Sequence, residues 1–340
     1  MTKGSMIVGL VGATGLVGQT ILKVLEERRF PLAGLKLWAS SRSAGRRIKF
    51  KGKNYPVTPV KQADFSGCSI VFFAGTEGEK GASRLYAQKA IAAGAVVIDN
   101  GSDFRMHPSV PLIVPEVNPE DVKKHRGLIA NPNCSTIQMV AALGPIHKKY
   151  QVKRIVVSTY QAVSGAGRQG IEILRQEMQP FDSAQGKNSK FKIQNSIFPR
   201  KIAYNVIPQI SDISELGYSG EEWKMVEETQ KILHDKKIAV NATTVRVPVM
   251  TGHSESVYFE TGSNCTVRDI EKLLIKAPGI VYDNKDFITP AELKDSDLVY
   301  VSRLRPDPVK KNAFVMWVVA DNLRKGAATN AVQIAELLLK

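Results

Sequence analysis

The chain has 340 residues, 43% hydrophobic and 23% charged, a length that suits two globular cores and a composition that excludes disorder as the default state. Lysine and arginine number 47 against 32 aspartates and glutamates, a formal net charge of +15 that favours anionic ligands. The basic residues are scattered, and Arg46-Arg47, Lys123-Lys124 and Lys236-Lys237 lack interleaved aromatics, so no nucleic-acid partner is expected. The three cysteines, Cys68, Cys134 and Cys265, are odd in number and far apart, which fits neither a disulfide framework nor a metal pair. A cytoplasmic protein without a metal follows as the expectation. No apolar run approaches the roughly 18 residues of a membrane span, and MIVGLVG near the start lacks signal-peptide architecture, so no membrane association is expected.

Along the chain, MIVGLVG, LKLWAS, SIVFFAG, AVVIDN and GLIANPN are short apolar runs, and TILKVLEERRF and ASRLYAQKAIAAG are amphipathic stretches between them. That alternation predicts βαβ units in a parallel sheet. From about Val152 the texture becomes β-rich, with RIVVSTYQAV, IAVNATTVRVPVM, ESVYFETG and AFVMWVVAD pointing to a mixed or antiparallel sheet. GAATNAVQIAELLLK reads as a helix with Ala331, Ile334, Ala335 and Leu338 on one face. The expected architecture is α/β: a Rossmann-like doubly wound dinucleotide-binding domain over 1–133, followed by an α+β domain with a mixed sheet over 134–325. The helix of 326–340 is expected to pack back on the first domain.

Gly9, Gly12, Gly15 and Gly18 lie in GLVGATGLVG between a predicted strand and the predicted helix QTILKVLEE. Glycines let a backbone turn tightly and approach a pyrophosphate, whose charge the following helix start favours. A tight strand-to-helix turn without a ligand has the same pattern. After LKLWAS an NAD-preferring domain places an acidic residue for the ribose hydroxyl, whereas this chain reads Ser40-Ser41-Arg42-Ser43. Hydroxyls and a guanidinium suit a 2′-phosphate, so NADP(H) is the expected cofactor, although a polar loop without a ligand has the same composition.

Cys134 stands in Asn131-Pro132-Asn133-Cys134-Ser135-Thr136, just before the apolar helical stretch IQMVAALGPI. A helix start favours a thiolate, the form that attacks an acyl carbon. Position alone leaves a buried structural cysteine open. His253, in Thr251-Gly252-His253-Ser254, offers a base of near-neutral pKa, while His107, His125, His147 and His234 lie in segments that read as exposed.

NPNCSTIQ resembles the active-site segment of the aspartate-semialdehyde dehydrogenases. GATGLVG, SSRSAG, DNGSDFRM, STYQAVSGAG, EEWK, RVPVMTGH and DNLRKGAATNAVQIAE follow that family's landmarks in order, essentially from end to end. The resemblance implies an NADPH-dependent reductive dephosphorylation of aspartyl phosphate, through a thioester on Cys134, in the synthesis of lysine, diaminopimelate, threonine and methionine. It implies Cys134, His253 and Gln161 as catalytic residues, with Gln161 orienting the acyl group. Arg105, Asn133 and Lys224 are implied at the phosphate, Glu221 at the substrate amino group and Arg246 at the α-carboxylate. Gly12, Ala13, Thr14, Gly15, Leu16, Val17, Ser40, Ser41, Arg42, Ser43, Gly165 and Asn322 are implied at the cofactor. The second domain is implied to be catalytic and to form a homodimer. Arg246 and His253 are seven apart, which strict strand alternation would place on opposite faces, so a bulge or turn is expected at Gly252. Two rivals remain at this point, a reductase of N-acetylglutamyl phosphate and a catalytically silent nucleotide sensor.

Overall fold

The computed structural model describes residues 6–77, 80–179, 196–293 and 295–339. The first part of the chain lays down β1 (Ile7–Val11), α1 (Leu16–Glu27), β2 (Gly34–Ala39), β3 (Arg47–Phe50), β4 (Lys53–Pro59) and β5 (Cys68–Phe73). A short ladder, β6 (Thr76–Glu77) with β7 (Lys80–Gly81), leads to α2 (Ala82–Ala92), β8 (Val96–Asp99) and β9 (Leu128–Ala130). Seven of these strands form one sheet in the order β3-β4-β2-β1-β5-β8-β9, parallel throughout except that β3 runs against β4. The strand order departs from β1 in both directions, the doubly wound arrangement expected from the alternating texture. β5 and β8 are apolar and buried along nearly their whole length, as strands covered on both faces must be. The pair β3 and β4, from RIKFKGKNYPVTPV, was not anticipated, because its alternation is interrupted by lysines that lie exposed at the sheet edge.

The second part begins with α3 (Cys134–Tyr150) and β10 (Val152–Gln161) and continues through α4 (Gly167–Glu177), α5 (Gly220–Ile232), β11 (Ala239–Arg246) and β12 (His253–Thr261). It closes with α6 (Val267–Lys276), β13 (Ile280–Tyr282), β14 (Val299–Pro306), β15 (Ala313–Ala320) and α7 (Thr329–Leu337). Its sheet is mixed, in the order β11-β10-β12-β15-β14-β13, with β10–β11 and β13–β14 parallel and the remaining pairs antiparallel. α3 is buried almost from end to end, and its apolar residues share one core with β10, β12, β14, β15, α5 and α6.

α7 returns to the first sheet, where Ala331, Val332, Ile334 and Ala335 pack with Val8, Leu10, Ile21, Leu25 and Ile98. It is shorter than the expected helix of 326–340. Arg324–Ala328 wind as a wider π turn before it, and Leu338 just beyond it is half-buried rather than part of the buried stripe. Lys340, the last residue of that expected helix, lies outside the described residues. The π turn is pinned by Lys325, which is wholly buried and reaches Glu116, Asn330 and Gln333 at 2.6, 3.0 and 2.8 Å. The three cysteines are free. No helix among the described residues is long and apolar enough to cross a membrane.

Candidate active site

Cys134 is the first residue of α3, and the helix start is built by the residue before it. Asn133 Oδ1 accepts from the N–H groups of Ser135 and Thr136 at 3.0 and 3.2 Å, satisfying two donors that a helix start otherwise leaves unpaired. Its Nδ2 donates to Glu221 at 2.7 Å, and its backbone N–H donates to Glu228 at 2.6 Å. One residue therefore ties the nucleophile's helix to α5. A capping box, Ser219 with Glu222, starts α5. Helical spacing then sets Glu221, Lys224 and Glu228 on neighbouring positions of one face.

Glu221 is buried and accepts from Lys224 Nζ at 3.0 Å, Asn133 Nδ2 at 2.7 Å and Gln161 Nε2 at 3.3 Å. Burial alone would raise its carboxyl, but Lys224, Asn133 and Arg246 outweigh it and bring the pKa down to about 2. Glu221 and Lys224 thus form an ion pair at the cavity wall. Glu228 divides its oxygens between Asn133 and Arg105, whose Nη1 donates to it at 3.0 Å. Arg105 Nη2 donates to the Asn100 carbonyl, and its Nε is buried without a partner among the described residues.

Arg246 closes β11 and His253 opens β12, on either side of the end of β10 that carries Gln161. The expected turn between them is there. Gly252 adopts φ +90°, and a Cβ on it would come within 2.9 Å of Pro290 and Leu293. Arg246 Nη1 donates to the Ala162 carbonyl at 2.8 Å, and Gln161 Nε2 donates to Ser135 Oγ at 2.5 Å. Gly165 lies where the two functional groups meet: a Cβ there would stand 2.8 Å from Arg246 Nη1 and 3.4 Å from His253 Nε2.

His253 is wholly buried and does not line the cavity. Its Nδ1 accepts the Ala162 N–H at 3.0 Å, which assigns the neutral ring's proton to Nε2, an atom without a partner among the described residues. Burial, then the Arg246 cation, hold its pKa down at about 3. No hydrogen bond joins the ring to the Cys134 sulfur. Burial first and Glu221 second push the Cys134 thiol up to about 12, against the pull of Arg246, Arg105 and the Ser135 N–H. The expectation that the helix start favours a thiolate is therefore corrected for the resting pocket, because desolvation there exceeds what the helix start supplies.

These groups surround a cavity of about 690 Å³ lined by Arg105, Asn133, Cys134, Gln161, Glu221, Lys224 and Arg246, and also by Val17, Gly165 and Asn322. Val17, in the first turn of α1, joins this cavity to the glycine turn. Gly12 adopts φ +86°, and a Cβ on it would lie 2.6 Å from the Ala74 carbonyl carbon, so a side chain is excluded at the turn. A second cleft of about 760 Å³ is lined by Gly12, Thr14, Gly15, Ser40, Ser41, Arg42 and Ser43, with Arg46 and Lys61. None of its lining residues is acidic, and α1 has no acidic residue in its first turn, which fits an anionic dinucleotide. Ala13 and Leu16 line neither cavity; the Ala13 N–H is spent on the Trp38 carbonyl at 3.0 Å. Asn322 is committed as well, accepting the Gly252 N–H at 2.8 Å and donating to Ser164 Oγ at 2.9 Å, so it fixes the two turns beside His253. Among the described residues no group of three His, Cys, Asp or Glu side chains could hold a metal ion.

Sequence reasoning missed Glu228, whose signal was its place seven residues, or two turns, after Glu221. Arg46, one of the scattered basic residues to which no cofactor role was given, lines the second cleft. Two of the four histidines taken as exposed, His125 and His147, are half-buried.

Two family models match the chain, described as "Semialdehyde dehydrogenase, NAD binding domain" over residues 7–125 and "Semialdehyde dehydrogenase, dimerisation domain" over 143–325. The aspartate-semialdehyde dehydrogenases of Aquifex aeolicus (strain VF5) and Bacillus subtilis (strain 168) are 51% and 46% identical, with 98% of this chain and 98% and 97% of theirs covered. The crystal structure of aspartate semialdehyde dehydrogenase II from Vibrio cholerae, complexed with ASA, superposes with a TM-score of 0.90 at 45% identity, over 98% of both chains. An aspartate semialdehyde dehydrogenase from Candida albicans, solved with NADP, gives 0.75 at 26% identity over 99% of both chains. The chain belongs to the aspartate-semialdehyde dehydrogenase family. It is an oxidoreductase of that family, with an NAD-binding domain of Rossmann type and a dimerisation domain. The glycine turn lies in the first of these domains and Gln161, Glu221, Arg246 and His253 in the second, while Cys134 falls between the two matched spans.

Proposed function

We propose that the chain reversibly converts L-4-aspartyl phosphate into L-aspartate 4-semialdehyde and phosphate, using NADPH and a thioester on Cys134. The observation that carries this reading is the position of Cys134, at the junction of a cation-lined cavity and the approach from the glycine turn. Arg246 offers a planar guanidinium for the α-carboxylate and Glu221 a carboxylate for the ammonium. Arg105, Lys224 and Asn133 supply donors for the phosphate, and Gln161 orients the acyl group against the sulfur. Gly12, Gly15 and Val17 hold the dinucleotide along the start of α1, with Ser40–Ser43 and Arg42 at a 2′-phosphate; Ala13 and Leu16 complete the turn, and Gly165 and Asn322 meet the cofactor from the wall of the first cavity. NADPH, when bound, supplies the hydride that reduces the thioester. Cys134 holds the acyl group, and His253 supplies the proton at Nε2 as the semialdehyde forms.

The free ammonium that Glu221 is placed to bind argues against an N-acetylated glutamyl substrate, which offers none. We further propose that 1–133 and 134–325 are the functional domains, with 326–340 completing the first, and that the chain is a homodimer through its second domain. The aspartate-family pathways to lysine, threonine and methionine are its proposed setting, and three free cysteines support the cytoplasm. Phosphate-dependent reduction of NADP by aspartate semialdehyde, followed in wild type and Cys134→Ala, tests the reading. Turnover by wild type with a mass adduct on Cys134 is expected. A Cys134→Ala enzyme with ordinary activity, or faster turnover of N-acetylglutamate semialdehyde, would overturn it.

A further inference from the structure

α5 turns one stripe of polar residues toward the cavity and the loop that follows β8. Glu221, Lys224, Glu228 and Lys231 recur at helical spacing, so all four share a side of the helix. The first two line the cavity and the third grips the Arg105 guanidinium. Lys231 stands in the last turn, where a lysine ordinarily serves the carbonyls of its own helix or solvent. Instead it crosses to the loop. Its Nζ donates to the main-chain carbonyls of Arg105, His107 and Val110 at 2.6, 2.9 and 2.8 Å, which uses all three N–H groups of the ammonium.

Residues 101–110 form neither helix nor strand. The N–H groups of Arg105, His107 and Val110 bond back to the carbonyls of Ser102, Phe104 and His107 at 3.4, 3.1 and 3.1 Å. Such bonds shape each turn without fixing one turn against the next. The convergence on Nζ supplies that fix, and it ties the loop, in the NAD-binding span, to a helix of the dimerisation span. Arg105 is thereby held at both ends. Its guanidinium donates to Glu228 and to the Asn100 carbonyl, while its own carbonyl accepts the shortest of the three Lys231 bonds. A long side chain anchored only at its head keeps a mobile stem, and fixing its main chain removes that freedom.

We propose that Lys231 is a positioning residue for phosphate: by gathering three carbonyls of the 101–110 loop it holds the main chain of Arg105, which keeps the guanidinium at the cavity wall. The inference rests on the phosphate role given above to Arg105. It requires the shape of the ammonium as well as its charge. Three carbonyls that meet at one point suit a compact –NH3+ group, whereas a planar guanidinium spreads its donors over a fork.

Lys231→Met is expected to raise KM for phosphate roughly tenfold, with KM for NADP little changed and kcat at saturating phosphate within about threefold of wild type. Lys231→Arg keeps the charge and should recover only a small part of that loss. In an Arg105→Leu background, Lys231→Met should raise KM for phosphate no further, because the two residues act in series. Amide hydrogen exchange across 101–110 should be faster in Lys231→Met than in wild type. An unchanged KM for phosphate in Lys231→Met, a Lys231→Arg enzyme indistinguishable from wild type, a further loss in the double variant, or unchanged exchange overturns the proposal. Should Lys231→Met fail to fold, kinetics and exchange of Lys231→Arg decide it. A wild type without phosphate-dependent turnover, or an Arg105→Leu enzyme with an ordinary KM for phosphate, defeats the reading of Arg105 instead, and the exchange rates still report whether Lys231 holds the loop.

Discussion

Glutamine in place of Glu228 leaves the Arg105 guanidinium buried without its hydrogen-bonded counter-charge. Glu228 is 1% exposed, and its two oxygens each accept one hydrogen bond, from Arg105 Nη1 at 3.0 Å and from the Asn133 N–H at 2.6 Å. A glutamine has one acceptor oxygen, so in either orientation its NH2 group confronts one of these donors. Removing one partner of a buried ion pair costs about 3 to 5 kcal/mol, and the amide oxygen recovers roughly 1 kcal/mol through the bond it still accepts. Glu228→Gln is thus expected to lower unfolding free energy by about 2 to 4 kcal/mol, measured by urea denaturation at unchanged m-value. The same change frees Arg105 and the backbone at Asn133, which the proposed phosphate site requires. KM for phosphate should rise roughly tenfold or more, with KM for NADP little altered. Glu228→Asp keeps the charge and should recover part of both losses. A Glu228→Gln enzyme within about 0.5 kcal/mol of wild-type stability and with an unchanged KM for phosphate would falsify the assignment of Glu228 as the shared anchor.

Arg42→Ala should weaken NADPH binding roughly tenfold while barely changing NADH binding, since one charge-assisted contact to a 2′-phosphate is lost; equal losses in titrations of the two cofactors would exclude the phosphate assignment. With the Cys134 thiol pushed up to about 12, alkylation by iodoacetamide near pH 8 should be slow in the free enzyme and several-fold faster in Glu221→Gln, which removes the carboxylate opposing the thiolate; fast, unchanged labelling would refute this. His253 has its pKa lowered from 6.5 to about 3 on folding, so the unfolded chain takes up the proton first as the solution is acidified. Stability contributed by the buried neutral ring is then present above 6.5 and lost as pH falls toward 3. Stability of His253→Asn should decline less steeply across that window, and equal slopes in calorimetry would count against a buried neutral ring.

The sheets were legible because their strands carry the pattern of their own burial. β5 and β8 read as continuous apolar runs and are covered on both faces, and Ala331, Ile334 and Ala335 share a stripe that packs on the first sheet. Gly12 declared a turn because a side chain there would strike the Ala74 carbonyl. What was not legible concerns polar residues whose burial depends on distant partners. Lys325 in DNLRKG has the look of a surface lysine and is buried only because Glu116 reaches it, which also winds the chain into a π turn instead of an early start to α7. Glu255 shares the inward face of β12 with His253, but nothing in HSESVYFET says that no cation will meet it. The state of Cys134 was misjudged for the same reason. A helix start is visible in NPNCST, whereas the burial of the sulfur and the Glu221 carboxylate on α5, which raise the thiol, belong to the folded pocket.

The resting electrostatics constrain how protons move in the proposed reaction. A substrate carrying an ammonium and a carboxylate would answer Glu221 and Arg246 together, and these two act on the sulfur with opposite sign. Burial, the largest influence on the thiol, is not relieved by that pairing. An imidazolium at His253 is disfavoured by burial and by Arg246, and the Ala162 N–H occupies Nδ1. A neutral exchange satisfies all of these conditions. As the thiol adds to the aldehyde, Nε2 gives its proton to the carbonyl oxygen and receives the one leaving sulfur, so the ring is uncharged before and after. The reverse exchange returns a protonated thiol when the semialdehyde departs. Such an exchange needs Nε2 close to both atoms at once, and it makes the angle of the ring, held by Ala162 at Nδ1 and by Gln138 through the backbone, matter more than its basicity.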